Sequence, residues 1–153
     1  MVVEEGGRDI WRKGNRAVKN QIIAIKEEAA TEERSSLAVC LDTMLAYEGI
    51  TRNSQYLLDR GEKVFQILEE NLSHVTVLDL MGNSLDAVLY YVNRDIPVLA
   101  LLGDGSAVLL VGFNETQVGI MNPETGSIQR VRTAEAAEWF ERSGNKFITY
   151  EPD

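Results

Sequence analysis

Residues 97–126, PVLALLGDGSAVLLVGFNETQVGIMNPETG, decide the fold. Val98–Leu102 and Ala107–Val111 are continuous apolar runs. They are too short for buried helices and are bounded by Gly and Pro, which suits strands in the middle of a sheet. Gly103-Asp104-Gly105 supplies turn chemistry between them. Phe113-Asn114-Glu115-Thr116 reads as a tight turn into Gln117–Met121, and Asn122-Pro123-Glu124-Thr125-Gly126 closes the unit. The stretch is a β-meander, and the core of the protein forms on it.

Upstream the periodicity is helical. Residues 1–7 read as a frayed lead-in. From Arg8 to Glu33 only Gly14 interrupts, and Trp11, Val18, Ile22, Ile25 and Ala29 fall on one face, which predicts a long amphipathic helix. Residues 1–33 are accordingly expected to be a lead-in plus helix, and 34–153 the domain proper. Ser35-Ser36 is a helix-start signal, and the run from Leu37 to Tyr47 is apolar on nearly every side, which predicts a buried helix ended by Glu48-Gly49. Asn53 or Ser54 is placed to cap a short helix to Leu58. A further helix is expected over Glu62–Asn71, with Val64, Phe65 and Leu68 inward. Val75–Leu80 alternates as a strand, and Ser84 caps a helix over Leu85–Asn93. After the meander come a strand at Ser127–Arg132, a helix capped by Thr133 and running to Arg142, and a last strand at Lys146–Tyr150. Helices first and an antiparallel sheet second is the pattern of an α+β domain.

At 153 residues, 44% of them hydrophobic, the chain is one ordinary domain with enough apolar surface for a core. A net charge of −9 argues against a nucleic-acid or anionic-membrane partner, both of which reward Lys/Arg clusters. One Cys excludes an internal disulfide, and one His beside it leaves zinc without a ligand set, so neither metal nor cofactor is expected. No apolar run approaches the roughly 20 residues of a membrane span, so direct membrane insertion is not expected. MVVEEGGRDIWRKGN also lacks the order of a signal peptide. The compartment stays open: cytoplasmic for a free-standing chain, cell-surface or membrane-associated for a piece of a longer bacterial protein.

Cys40 is the natural nucleophile candidate, but its apolar helix would bury it and raise its thiol pKa, which is the signature of an inert core thiol. His74, in the polar connection Asn71-Leu72-Ser73-His74, reads as a surface loop residue. Asp79, Asp86, Asp104 and Glu124 are scattered, with no metal or acid–base spacing to gather them. Gly103-x-Gly105 lacks the third Gly and the following helix of a dinucleotide loop. The sequons at Asn71 and Asn114 are chance-level matches.

A larger pattern is nevertheless present. A buried helix ends in Tyr47-Glu48-Gly49, a helix precedes the Pro97-Val98 strand, and the strands Ala107-Val108-Leu109-Leu110-Val111-Gly112-Phe113-Asn114 and Asn122-Pro123-Glu124-Thr125-Gly126 follow. Over residues 30–150 this order resembles the C39-like, bacteriocin-processing-type cysteine peptidases, whose fold is papain-like. In that family a catalytic Cys opens the first buried helix. Counting back from Leu45-Ala46-Tyr47-Glu48-Gly49 places Ser36 at the Cys position, with Leu37-Ala38 at the family's Gly-Pro. The resemblance places Ala30 at the oxyanion Gln and Ser106 at the catalytic His, and keeps Asn122 as the third member.

A thiol peptidase needs a thiolate, an imidazole and an oxyanion donor. With Ser36, Ser106 and Ala30 in those places, the resemblance implies a catalytically degenerate member, not an enzyme. Its relic cleft, with Ser36, Ser106 and Asn122 as ligand-binding residues, is expected to hold a peptide or protein partner, other domains of a longer chain included. Two alternatives compete. One is an active thiol hydrolase using Cys40 and His74; the other is a structural module docking through the 8–33 helix by Trp11, Val18 and Ile22.

Overall fold

The computed structural model describes residues 21–153. Its elements are α1 (Ser36–Tyr47), α2 (Ser54–Asp59), α3 (Val64–Asn71), β1 (Val75–Asp79), α4 (Leu85–Val92), β2 (Val98–Leu101), β3 (Ala107–Phe113), β4 (Gln117–Asn122), β5 (Ser127–Arg132), α5 (Thr133–Arg142) and β6 (Lys146–Pro152). The meander β2–β3–β4–β5 forms as the apolar runs dictate. The strands make one six-stranded sheet in the order β1-β6-β2-β3-β4-β5, antiparallel throughout. The last strand of the chain therefore lies inside the sheet, between β1 and β2.

Every residue of β3 is buried, so both faces of the sheet are covered there. Helix α1 packs on β2 and β3 and carries α2 and α3; α4 packs on β2, β3 and β6, and α5 on β4 and β5. Leu41, Met44 and Leu45 of α1 lie wholly within this core. Side chains of that kind each contribute about 1.5–3 kcal/mol by leaving water. The α1 N-terminus is closed by Ser35, whose hydroxyl accepts from the Ala38 N–H at 3.1 Å. Thr133 does not cap α5: it is the first helical residue, behind Arg132, and its N–H donates to the Thr116 carbonyl at 2.8 Å instead.

The long helix expected over 8–33 is not what residues 21–33 form; residues 8–20, with Trp11 and Val18, lie outside the described part. Residues 21–30 run as an extended strap across the sheet on the side of α1. The Ile23 N–H donates to the Val111 carbonyl at 2.7 Å, and the Ala30 N–H to the Pro123 carbonyl at 2.8 Å. The Ile23 bond is possible because the β3–β4 register shifts between Leu110 and Gly112, which takes Val111 out of the ladder.

Ile22 packs over Gly112 and Gly119, which face each other across β3 and β4. A Cβ at Gly112 would lie 2.6 Å from Ile22 Cδ1 and 3.2 Å from the Gln21 carbonyl oxygen; one at Gly119 would lie 2.7 Å from Ile22 Cδ1. The glycines leave the groove that the strap fills. β-Branched Ile22, Ile23 and Ile25 favour the extended form, and the sheet offers more burial than a lone helix could find. Ile22 is thus engaged with the protein's own sheet, which removes it from the proposed docking stripe.

Candidate functional site

The antiparallel meander sends its first and third turns to the same end of the sheet. Leu109 pairs with Met121, so the start of β3 at Ala107 comes beside Pro123. All four positions singled out by the resemblance gather there. Ala30, at the end of the strap, bonds to Pro123 through its N–H. Asn122 precedes that proline, Ser106 precedes Ala107, and the Ser36 hydroxyl accepts from the Ala107 N–H at 3.0 Å.

Ser36 is 4% exposed and stands in the first turn of α1, not at its cap. Its oxygen is held by a backbone donor, and among the described residues it makes no hydrogen bond to an imidazole or a carboxylate. Ser106 donates its hydroxyl to Asp104 Oδ1 at 2.6 Å, and its N–H goes to the same oxygen at 2.9 Å. That pair of bonds locks the β2–β3 turn, and the Ser106 hydroxyl bond holds the Asp104 carboxyl below its ordinary value. Asn122 organises the β4–β5 turn: Oδ1 accepts from the Glu124 N–H at 3.0 Å, and its carbonyl accepts from the Gly126 N–H at 2.8 Å. Its Nδ2 keeps both protons free among the described residues.

Between these turns and the end of α5 lies a cavity of about 450 Å³. Asp104, Ser106, Asn122, Glu124, Trp139 and Arg142 line it. Ser143 fixes its rim by accepting from the Gly103 N–H at 3.1 Å. Sequence reasoning left Asp104 and Glu124 as scattered carboxylates and passed over Trp139 and Arg142. The signal was available, because alternate turns of a meander share an end of the sheet. Asp79, by contrast, is spent on the Met81 N–H at 3.0 Å, in the connection after β1. Ser36 contacts the backbone beside this cavity and does not line it.

The Cys40–His74 pair does not form. Cys40 is fully buried among the apolar side chains of α1, and burial alone pushes its thiol strongly up. His74 is exposed ahead of the edge strand β1, where its carbonyl accepts from the Asp153 N–H at 2.9 Å. One group is sealed in the core and the other stands in water.

A second cavity of about 310 Å³ separates the strap from the C-terminal half of α1. It is bounded by an ion-paired knot in which Arg34 donates to Glu28 Oε2 at 2.9 Å and to Asp42 Oδ2 at 2.8 Å. Asp42 Oδ1 in turn accepts from the Ser54 N–H at 2.9 Å, tying α2 to α1. The Arg34 bond holds the Glu28 carboxyl below its ordinary value. This knot joins both ends of the 28–34 connection to α1 and is structural in kind. Among the described residues no cluster of His, Cys, Asp and Glu is arranged to hold a metal, and no helix is long and apolar enough to cross a membrane.

A helix N-terminus set against the start of a central antiparallel strand, with further helices on either face, is the α+β arrangement of a papain-like peptidase. More particularly, the chain has the fold of C39-like peptidases. It superposes with a TM-score of 0.70 on a crystal structure described as a C39-like peptidase from Bacillus anthracis, at 17% identity over 89% of this chain and 98% of that one. It is also similar, with a TM-score of 0.59 and 16% identity, to a double-glycine motif protease from an AMS/PCAT transporter, solved in complex with the leader peptide. That match covers 89% of this chain and 97% of the other. No family model matches the sequence, and none of the curated proteins does.

Proposed function

We propose that this chain is a non-catalytic C39-like domain that binds a peptide or protein partner in the cleft at the Ser106–Asn122 end of its sheet. The observation that carries the reading is the state of Ser36: a buried hydroxyl, held by the Ala107 N–H, at the position the resemblance gives to the nucleophile. A serine attacks a carbonyl only when a base takes its proton. The neighbouring Ser106 is no base, and its own proton is given to Asp104. Ala30 brings no side-chain donor for an oxyanion.

The cavity is what supports a binding role. It is open, mixed in polarity and bounded by two hairpin turns and a helix end, which is the form of a recognition site set on a rigid scaffold. The similar transporter protease was solved with a peptide bound, which makes an extended peptide the first occupant to test.

The test is a blocked cleft. Ser106→Trp places an indole in the cavity at a half-buried position without disturbing α1. Peptide binding, read by fluorescence anisotropy with labelled random-sequence peptides, is expected to fall at least tenfold, while the unfolding midpoint falls only by the loss of the exposed Ser106 hydroxyl bond to Asp104, about 1 kcal/mol. Unchanged binding would move the site elsewhere on the molecule.

A further inference from the structure

We infer that the cleft recognises a positively charged ammonium group on its peptide, an inference that rests on the peptide-binding reading above. The cavity carries two carboxylates, Asp104 and Glu124, against one guanidinium, Arg142. The carboxylates are not neutralised from within. Asp104 spends only Oδ1, on Ser106. The Glu124 side chain makes no hydrogen bond or ion pair among the described residues, and Arg142 pairs with neither acid although all three line the same space.

Arg142 has a reason to be there without any ligand. It stands in the last turn of α5, where a cation meets the negative end of the helix dipole. Glu124 has no such internal role, since only its backbone N–H takes part in the turn. Trp139, one turn before Arg142 on α5, gives the cavity a half-buried aromatic wall, the surface against which an ammonium group is best held. A chain with a net charge of −9 draws a cationic segment toward this site and repels an anionic one.

The ammonium group has two sources in a peptide, the free N-terminus and a lysine side chain. Random hexapeptides made with free or acetylated N-termini, and with or without one lysine, separate them in an equilibrium titration against the full chain. Peptides lacking both ammonium groups are expected to bind about tenfold more weakly. Glu124→Gln is expected to weaken the charged peptides about three- to tenfold, whereas Arg142→Gln tightens them about two- to threefold by removing a like charge. Both differences should shrink as salt is raised. The Glu124 carboxylate makes no hydrogen bond or ion pair among the described residues, so its variant is expected to fold as the parent does, which a matching amide spectrum verifies.

Equal binding of acetylated, lysine-free peptides overturns the ammonium assignment and leaves the cleft in place. Weaker binding by Arg142→Gln would overturn it too, in favour of an anionic group. Binding by none of the peptides removes the cleft reading and this inference with it.

Discussion

The two ends of the β3–β4 pair are built on opposite principles. At the Gly112–Gly119 end, side chains are missing so that the strap can lie against the sheet, and Ile22 would have to shift to admit a single added carbon. At the Ala107–Asn122 end, the turns carry polar side chains whose bonds are local, and a cavity of about 450 Å³ stays open between them. Close packing marks the end that fixes the fold. Unspent hydrogen-bonding capacity marks the end proposed to meet a partner. The candidate nucleophile positions fall on either side of this divide: Cys40 belongs to the packed interior and Ser36 borders the open end.

The sharpest way to break the comparison is to fill the packed end. Gly112→Val should cost about 2–3 kcal/mol or more by overpacking, since the new side chain meets the Gln21 carbonyl as well as Ile22. Urea unfolding measures the loss, and limited proteolysis should show the strap cut before the rest. A neutral result would mean that the strap is not seated between the strands. Cys40→Ser should cost about 1–3 kcal/mol, because it buries a hydroxyl among the apolar side chains of the core. Alkylation of Cys40 in the native protein should be slow until denaturant is added. Fast native labelling would mean that the interior opens to water.

At the boundary, Ser36→Ala leaves the Ala107 N–H unpaired in a buried place and should cost about 1–2 kcal/mol in the same unfolding assay. A reactive serine would show instead as labelling by an acylating phosphonate. Smaller still is the acid sensitivity of the strap. Glu28 has its folded pKa depressed by Arg34, so its contribution is present above its unfolded pKa and is lost as pH falls through the lower folded value. The pair is partly exposed, which limits the effect to less than about 1 kcal/mol. Glu28→Gln should flatten that part of the stability–pH curve and leave the neutral value almost unchanged.

How much of this was legible beforehand depended on whether one signal had a competitor. The meander had none: apolar runs of strand length between Gly, Pro and Asn turns admit a single reading, and α1 and β5 followed from equally clear patterns. The strap had a strong one. Ile22, Ile25 and Ala29 satisfy a helical period, while Ile23 and Ile25 satisfy an alternating one, and only the sheet beneath decided between them. Gly112 and Gly119, bare positions within otherwise apolar strands, were the clue that another backbone lies close.

The candidate site was half visible. Ser36, Ser106, Asn122 and Ala30 came from a resemblance in motif order, and the register of β3 with β4 brings them to one place. Trp139 and Arg142 belong to a helix that reads as ordinary amphipathic surface. Nothing in their own spacing points to a cavity that two distant turns complete.

The most direct test is to incubate the native protein with random-sequence and double-glycine peptides. Their masses would be followed by mass spectrometry while the indole signal of Trp139, assigned with Trp139→Phe, is followed by NMR. The account predicts that the Trp139 signal shifts with peptide concentration and that every peptide mass stays unchanged. Peptides cleaved by the native protein, with cleavage lost in Ser36→Ala, would contradict it and make Ser36 a working nucleophile.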